Sequence, residues 1–78
     1  MKITLYRTQT CSWCHKAEEF FKKYNVKYTS IDVGKDRKVA LAMIEKSGQQ
    51  GVPVIDIDGK IIVGFDEPAL RKTLEIKD

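Results

Sequence analysis

Polar and apolar positions alternate over Lys2-Ile3-Thr4-Leu5-Tyr6, with β-branched and aromatic side chains, and this period of two predicts a strand. Polar residues Arg7-Thr8-Gln9-Thr10 interrupt it. From Ser12 onward the period becomes helical: Trp13, Ala17, Phe20, Phe21 and Tyr24 share one side, and Lys16, Glu18, Glu19, Lys22 and Lys23 lie mostly on the other. Asn25 suits a left-handed cap, so the helix is expected to end near Tyr24. Residues 26–32 alternate again and predict a second strand, with a loop at Val33-Gly34. A helix starts at Asp36 or its neighbours, carries Val39, Ala40, Met43 and Ile44 at three- and four-residue spacing, and ends at Gly48. Residues 53–57 and 60–63 read as strands joined by Asp58-Gly59, the dipeptide favoured in a two-residue type I′ hairpin. After Gly64-Phe65, Asp66-Glu67-Pro68 opens a last helix with Ala69, Leu70, Thr73 and Leu74 on its apolar face.

The predicted order is therefore β-α-β-α-β-β-α, an α/β chain without repeat or linker. The first βαβ unit implies a parallel strand pair, and the hairpin adds an antiparallel one. The expected architecture is a four-stranded mixed sheet with three helices, with residues 1–78 as a single domain.

Composition narrows the function classes. Apolar content of 42% and charged content of 32% describe an ordinary globular chain. No apolar run is long enough to span a bilayer, and the first residues lack a signal-peptide pattern, so a cytoplasmic protein with no membrane partner is expected. The net charge of +3 comes from lysines scattered among acids, which argues against nucleic acid as a partner.

The chemistry centres on Cys11-Ser12-Trp13-Cys14, which holds the chain's two cysteines. Such spacing serves either a redox dithiol or half of a zinc site; a structural disulfide is the third reading. Reducing a disulfide takes one exposed thiolate to attack sulfur and a second thiol close by to release the mixed disulfide. At a helix start, unpaired N–H groups and the positive end of the dipole stabilise a thiolate on Cys11, while Cys14, one turn later, is less exposed and resolves the intermediate. The loop-to-helix junction can bring the two Cβ atoms within about 4 Å, as a disulfide needs. A closed zinc site needs four ligands, and the one further candidate, His15, is adjacent to Cys14 and poorly placed to share its metal. A metal or iron–sulfur cluster held by Cys11 from two chains is the alternative reading.

The segment from Tyr6 to Ala17 around the cysteines, then Gly51-Val52-Pro53, then Gly64-Phe65-Asp66-Glu67, resembles the glutaredoxin family of the thioredoxin fold, and looks closest to its small glutaredoxin-like redoxins. The likeness covers essentially the whole chain. It implies a thioredoxin-like fold and a thiol-disulfide oxidoreductase, an electron carrier that binds no cofactor and acts as a monomer. It also implies a cis peptide at Val52-Pro53 facing the cysteines, so that the backbone of Val52 can pair with an extended substrate like an added strand. Gly64, Phe65 and Asp66 would stand at the last helix start, where N–H groups can hold the γ-glutamyl carboxylate of glutathione.

Family members that use glutathione commonly carry Pro-Tyr between the cysteines, a lysine three residues before the first, and threonine before Val-Pro. This chain has Ser12-Trp13, Thr8 and Gly51 there. Thr8 therefore lies at a substrate-contacting position without the charge usual there, and neighbouring Arg7 would point to the opposite face of its strand. Gly64-Phe65 is also similar to redoxins that take electrons from thioredoxin reductase and pass them to ribonucleotide reductase. Glutathione and thioredoxin reductase are thus the two candidate electron donors, and a disulfide-bearing protein is the expected substrate. Trp13, at the surface between the cysteines, is read as a substrate contact. His15 and the scattered lysines read as solvated, and Phe20, Phe21 and Tyr24 as core.

Overall fold

A computed structural model describes residues 2–76 of the chain, so the ends of the predicted 1–78 span lie outside the described residues. The elements are β1 (Ile3–Arg7), α1 (Ser12–Lys23), β2 (Thr29–Asp32), α2 (Arg37–Ser47), β3 (Val54–Ile57), β4 (Lys60–Val63) and α3 (Glu67–Thr73), in the predicted order. The strands form one sheet in the order β2-β1-β3-β4. β1 pairs parallel with β2 and antiparallel with β3, and β3 pairs antiparallel with β4.

The period of two becomes two buried faces. Ile3 and Leu5 of β1, Ile55 and Ile57 of β3 and Ile62 of β4 pack with Ala17, Phe20 and Phe21 of α1 and Leu70 of α3. Tyr6 and Val54, of opposite parity, pack on the other face with Met43 of α2. Burying a Leu, Ile or Phe side chain stabilises by about 1.5–3 kcal/mol each, so these two layers supply most of the drive to fold.

The first two helices end where the sequence says they should. Asn25 adopts φ 55°, its N–H donates to the Lys22 carbonyl at 3.2 Å, and the Val26 N–H donates to the Phe21 carbonyl at 2.8 Å. This is a Schellman closure. It corrects the second strand: Val26 is held by the helix end, so β2 begins at Thr29 rather than at residue 26. α2 starts on Asp36, whose Oδ1 accepts from the N–H groups of Lys38 and Val39, and stops at Gly48 with φ 74°. At the hairpin Asp58 and Gly59 both take positive φ, 51° and 93°, as a type I′ turn requires.

The register carries the functional consequence. Tyr6 pairs with Val54, and Val54 pairs with Val63. The end of β1, the beginning of β3 and the end of β4 therefore share one edge of the sheet. The segments leaving that edge are the ones leading to Cys11, from Val52-Pro53 and to Gly64-Phe65.

Phe21 is fully buried between α1 and the sheet, whereas Leu41 on α2 is 57% exposed. Urea unfolding should show Phe21→Ala losing about 3–5 kcal/mol and Leu41→Ala changing stability by no more than about 0.5 kcal/mol. Equal losses at the two positions would contradict the assigned core.

Candidate active site

Cys11 is the N-cap of α1, in extended backbone conformation, and its Sγ accepts a hydrogen bond from the Cys14 N–H at 3.1 Å. A cysteine thus occupies the place where Ser, Thr or Asp usually satisfies the free amides of a helix start. Cys11 and Cys14 are joined as a disulfide with their Cα atoms 5.2 Å apart. Their surroundings differ. Cys11 is half-buried, while Cys14 is completely enclosed on the core side of the helix.

The segments that carry the other predicted residues leave the same end of the sheet as the one leading to Cys11. The Val52-Pro53 peptide is cis, with Pro53 buried and Val52 partly so. The Pro53 carbonyl accepts from the Gly64 N–H at 2.8 Å, tying the proline loop to the segment that leads into α3. Gly64 takes φ 77°, a left-handed conformation that side chains rarely adopt. Among the described residues neither the N–H nor the C=O of Val52 enters a hydrogen bond. Trp13 is 56% exposed, and its ring lies 6.4 Å from that of Phe65, which in turn meets Phe20 edge-on at 5.9 Å. An exposed aromatic beside Cys14 is thereby backed by the core.

Asp66 is exposed and caps α3, its Oδ1 accepting from the Ala69 N–H at 3.2 Å. One amide of that helix start is therefore already taken by the protein itself. Thr8 lines a shallow depression with Gln9, Asp32, Gly34 and Lys35, on the side of the loop between β2 and α2. His15 is exposed, its N–H returning to the Cys11 carbonyl at 3.3 Å. Among the described residues no group of three or more His, Cys, Asp or Glu side chains is arranged to hold a metal ion.

Arg7 has a partner that the sequence pattern hid. Its Nε lies 3.1 Å from Oε1 of Glu18, and Glu18 Oε2 accepts a 2.9 Å hydrogen bond from the Tyr28 hydroxyl. Glu18 was expected on the solvent side of α1, but its side chain is only 18% exposed. One signal could have found the pair: Arg7 shares strand parity with Ile3 and Leu5, which puts it on the face that α1 covers. Burial first, and then the hydrogen bond and negative charge of Glu18, push the Tyr28 phenol up to about 12.

Comparison with known proteins follows the same lines. The sequence profile of the Glutaredoxin family matches residues 3–62. A glutaredoxin-like 8.6 kDa protein of the rubredoxin operon of Clostridium pasteurianum is 44% identical over 73 residues, covering 94% of this chain and 97% of that one. Glutaredoxin 3 of Escherichia coli strain K12 is 29% identical over 65 residues, covering 83% and 78%. Among solved structures, a mutant of the thioredoxin-like protein BC3987 superposes with a TM-score of 0.91 at 32% identity, covering 97% of each chain. A glutaredoxin from Archaeoglobus fulgidus gives 0.86 at 27%, covering 94% and 85%. The shared architecture is the thioredoxin fold.

The phenol of Tyr28 keeps its proton above the ordinary value of 10.0, so its contribution to stability is complete below pH 10 and is lost as pH rises through about 12. In Glu18→Gln the charge is gone while burial remains. Ultraviolet titration of phenolate should therefore show the Tyr28 transition moving down from about 12 yet staying above the ordinary tyrosine value. An unmoved transition would mean that Glu18 has no part in it.

Proposed function

Because the chain belongs to the glutaredoxin family, we propose that it is a thiol-disulfide oxidoreductase that reduces protein disulfides through Cys11 and Cys14 and is itself reduced by a thioredoxin reductase. The observation that carries the reading is the asymmetry of the pair at the helix start: Cys11 half-buried and served by an N–H group, Cys14 enclosed behind it.

In the dithiol form, the Cys14 N–H and the helix dipole favour a thiolate on Cys11. That thiolate attacks one sulfur of the substrate disulfide. A bond forms between Cys11 and that sulfur, and the other substrate sulfur leaves as a thiolate. Cys14, having given up its proton, then attacks Cys11, forming the Cys11–Cys14 disulfide and releasing the second substrate thiolate. Two electrons pass to the substrate, and a donor dithiol restores the pair by the reverse exchange. The unpaired backbone of Val52, next to buried Pro53, is suited to align an extended substrate segment as an added strand, and the stacked rings of Trp13 and Phe65 offer it apolar area. Such turnover needs a reducing compartment, which makes the cytoplasm the expected location.

Three features support a protein donor over glutathione. Thr8 carries no charge. The adjacent cation, Arg7, is committed to Glu18 beneath α1. Asp66 already occupies an amide at the start of α3, leaving one donor fewer for a glutathione carboxylate.

Cys11→Ser should abolish disulfide reduction, and Cys14→Ser should accumulate a mixed disulfide with the substrate, visible by non-reducing electrophoresis. Full activity of Cys11→Ser would refute the mechanism. Oxidised protein should be reduced rapidly by thioredoxin reductase with NADPH and slowly by reduced glutathione; the opposite order would make glutathione the donor.

A further inference from the structure

Beyond the reactive corner, α1 and α3 leave a cleft of about 250 Å³ between them. Its apolar lining is Phe20, Tyr24 and Phe65, and its rim carries Lys16, Lys23 and Arg71 together with Glu19 and Glu67. Phe65 belongs both to this cleft and to the Trp13 stack, so the cleft opens directly onto the segment between the two cysteines.

The rim charges are not equivalent. Glu67 is satisfied by Arg71 at 2.9 Å, and the Arg71 guanidinium also donates to the Tyr24 hydroxyl at 2.7 Å. Lys16 and Lys23 instead sit over aromatic rings, Lys16 Nζ at 5.6 Å from the centre of Trp13 and Lys23 Nζ at 5.3 Å from that of Tyr24. Among the described residues the ion pairs are Arg7–Glu18, Lys46–Asp56 and Arg71–Glu67, so neither lysine has a carboxylate partner. Each ammonium is attracted to its ring yet keeps its other donors free.

We infer that this cleft is a docking groove for an extended acidic segment of the redox partner protein, whose carboxylates meet Lys16 and Lys23. The inference rests on the proposed exchange of electrons with a protein. Its charge argument is that Glu67 is already neutralised within the rim, leaving two lysines against Glu19 alone. Geometry adds a spacing. Seven residues apart on one helix face, the two lysines are separated by about 10 Å along the axis, and side chains four residues apart project from the same face of an extended chain about 13 Å apart, within the reach of two flexible lysine side chains. Glu19 lies between the lysines and selects against a third acid there, so the segment is acidic at two positions with an apolar side chain directed onto Phe20 and Phe65. Aromatic and arginine side chains such as Trp13, Tyr24 and Arg71 are the kind that anchor protein interfaces.

The test uses a cysteine-free decapeptide with two glutamates four residues apart and a leucine midway between them, all three on one face of the extended chain, so that binding is read without any thiol exchange. Titration into the oxidised protein should shift the Trp13 indole and the Phe65 and Tyr24 ring resonances, and the affinity should fall with added salt. Lys16→Glu combined with Lys23→Glu should weaken binding by about tenfold or more, while a single turnover of the pre-reduced variant with a small disulfide such as hydroxyethyl disulfide, with no donor protein present, keeps the wild-type rate. A peptide with lysines in place of the glutamates should not bind. Unshifted rings at millimolar peptide, binding that survives the double reversal, or a concentration-dependent dimer that occupies the cleft would each overturn the inference. Failure of the disulfide assay in the unaltered protein would instead refute the proposed function itself.

Discussion

Two-sided burial of the central strands is the constraint from which the rest follows. β1 and β3 lie inside the sheet, and each must hide both of its faces: Leu5 and Ile55 beneath α1 and α3, Tyr6 and Val54 beneath α2. A register slip of one residue would exchange these sets and set each against helices shaped for the other. The register is therefore specified strongly, and with it the alignment of Tyr6, Val54 and Val63 across three strands. That alignment delivers three segments distant in sequence to one edge. The reactive corner is in this sense a by-product of how the sheet is buried, and its geometry is as firm as the core beneath it.

Most of this was legible in the residues, because the decisive signals are local. Period-two and period-3.6 patterns placed every element. Asn25, Gly48 and Asp58-Gly59 marked the ends and turns through their tolerance of positive φ. Val52-Pro53 was expected to be cis only through its likeness to a family, since nothing in a lone X–Pro pair distinguishes it. What was not legible depended on contacts made across the fold. The start of β2 moved because Val26 closes the end of α1, and a strand pattern does not show which of its residues a preceding helix will claim. Glu18 was placed among solvated charges because a helical wheel does not reveal that Arg7 and Tyr28 wait on the facing elements.

That last pairing bears on specificity. A carboxylate turned inward is costly unless it is matched, and here a guanidinium and a phenol match it. The matching consumes the cation that immediately precedes Thr8. Arg7 leads directly to Thr8, the position that could otherwise have met an anionic thiol, yet its charge is spent beneath α1 rather than displayed at the active edge. The electrostatic means of holding a small anion near Cys11 are correspondingly thin. What the surface offers there is area: Trp13 projecting beside Cys14, Phe65 behind it, and a lysine over the exposed ring.

Area and charge select different partners. A small thiol that buries little surface has to gain its affinity from a few well-placed ionic contacts, whereas a protein can draw on an exposed aromatic anchor and a flanking groove. Trp13 offers an exposed ring that a partner can cover, and a transient contact that forms and breaks has to be modest in extent. An aromatic residue between the cysteines, supported from behind by Phe65 and Phe20, meets both demands: it is rigid enough to bind without a large loss of side-chain freedom, and small enough to release once the electrons have moved.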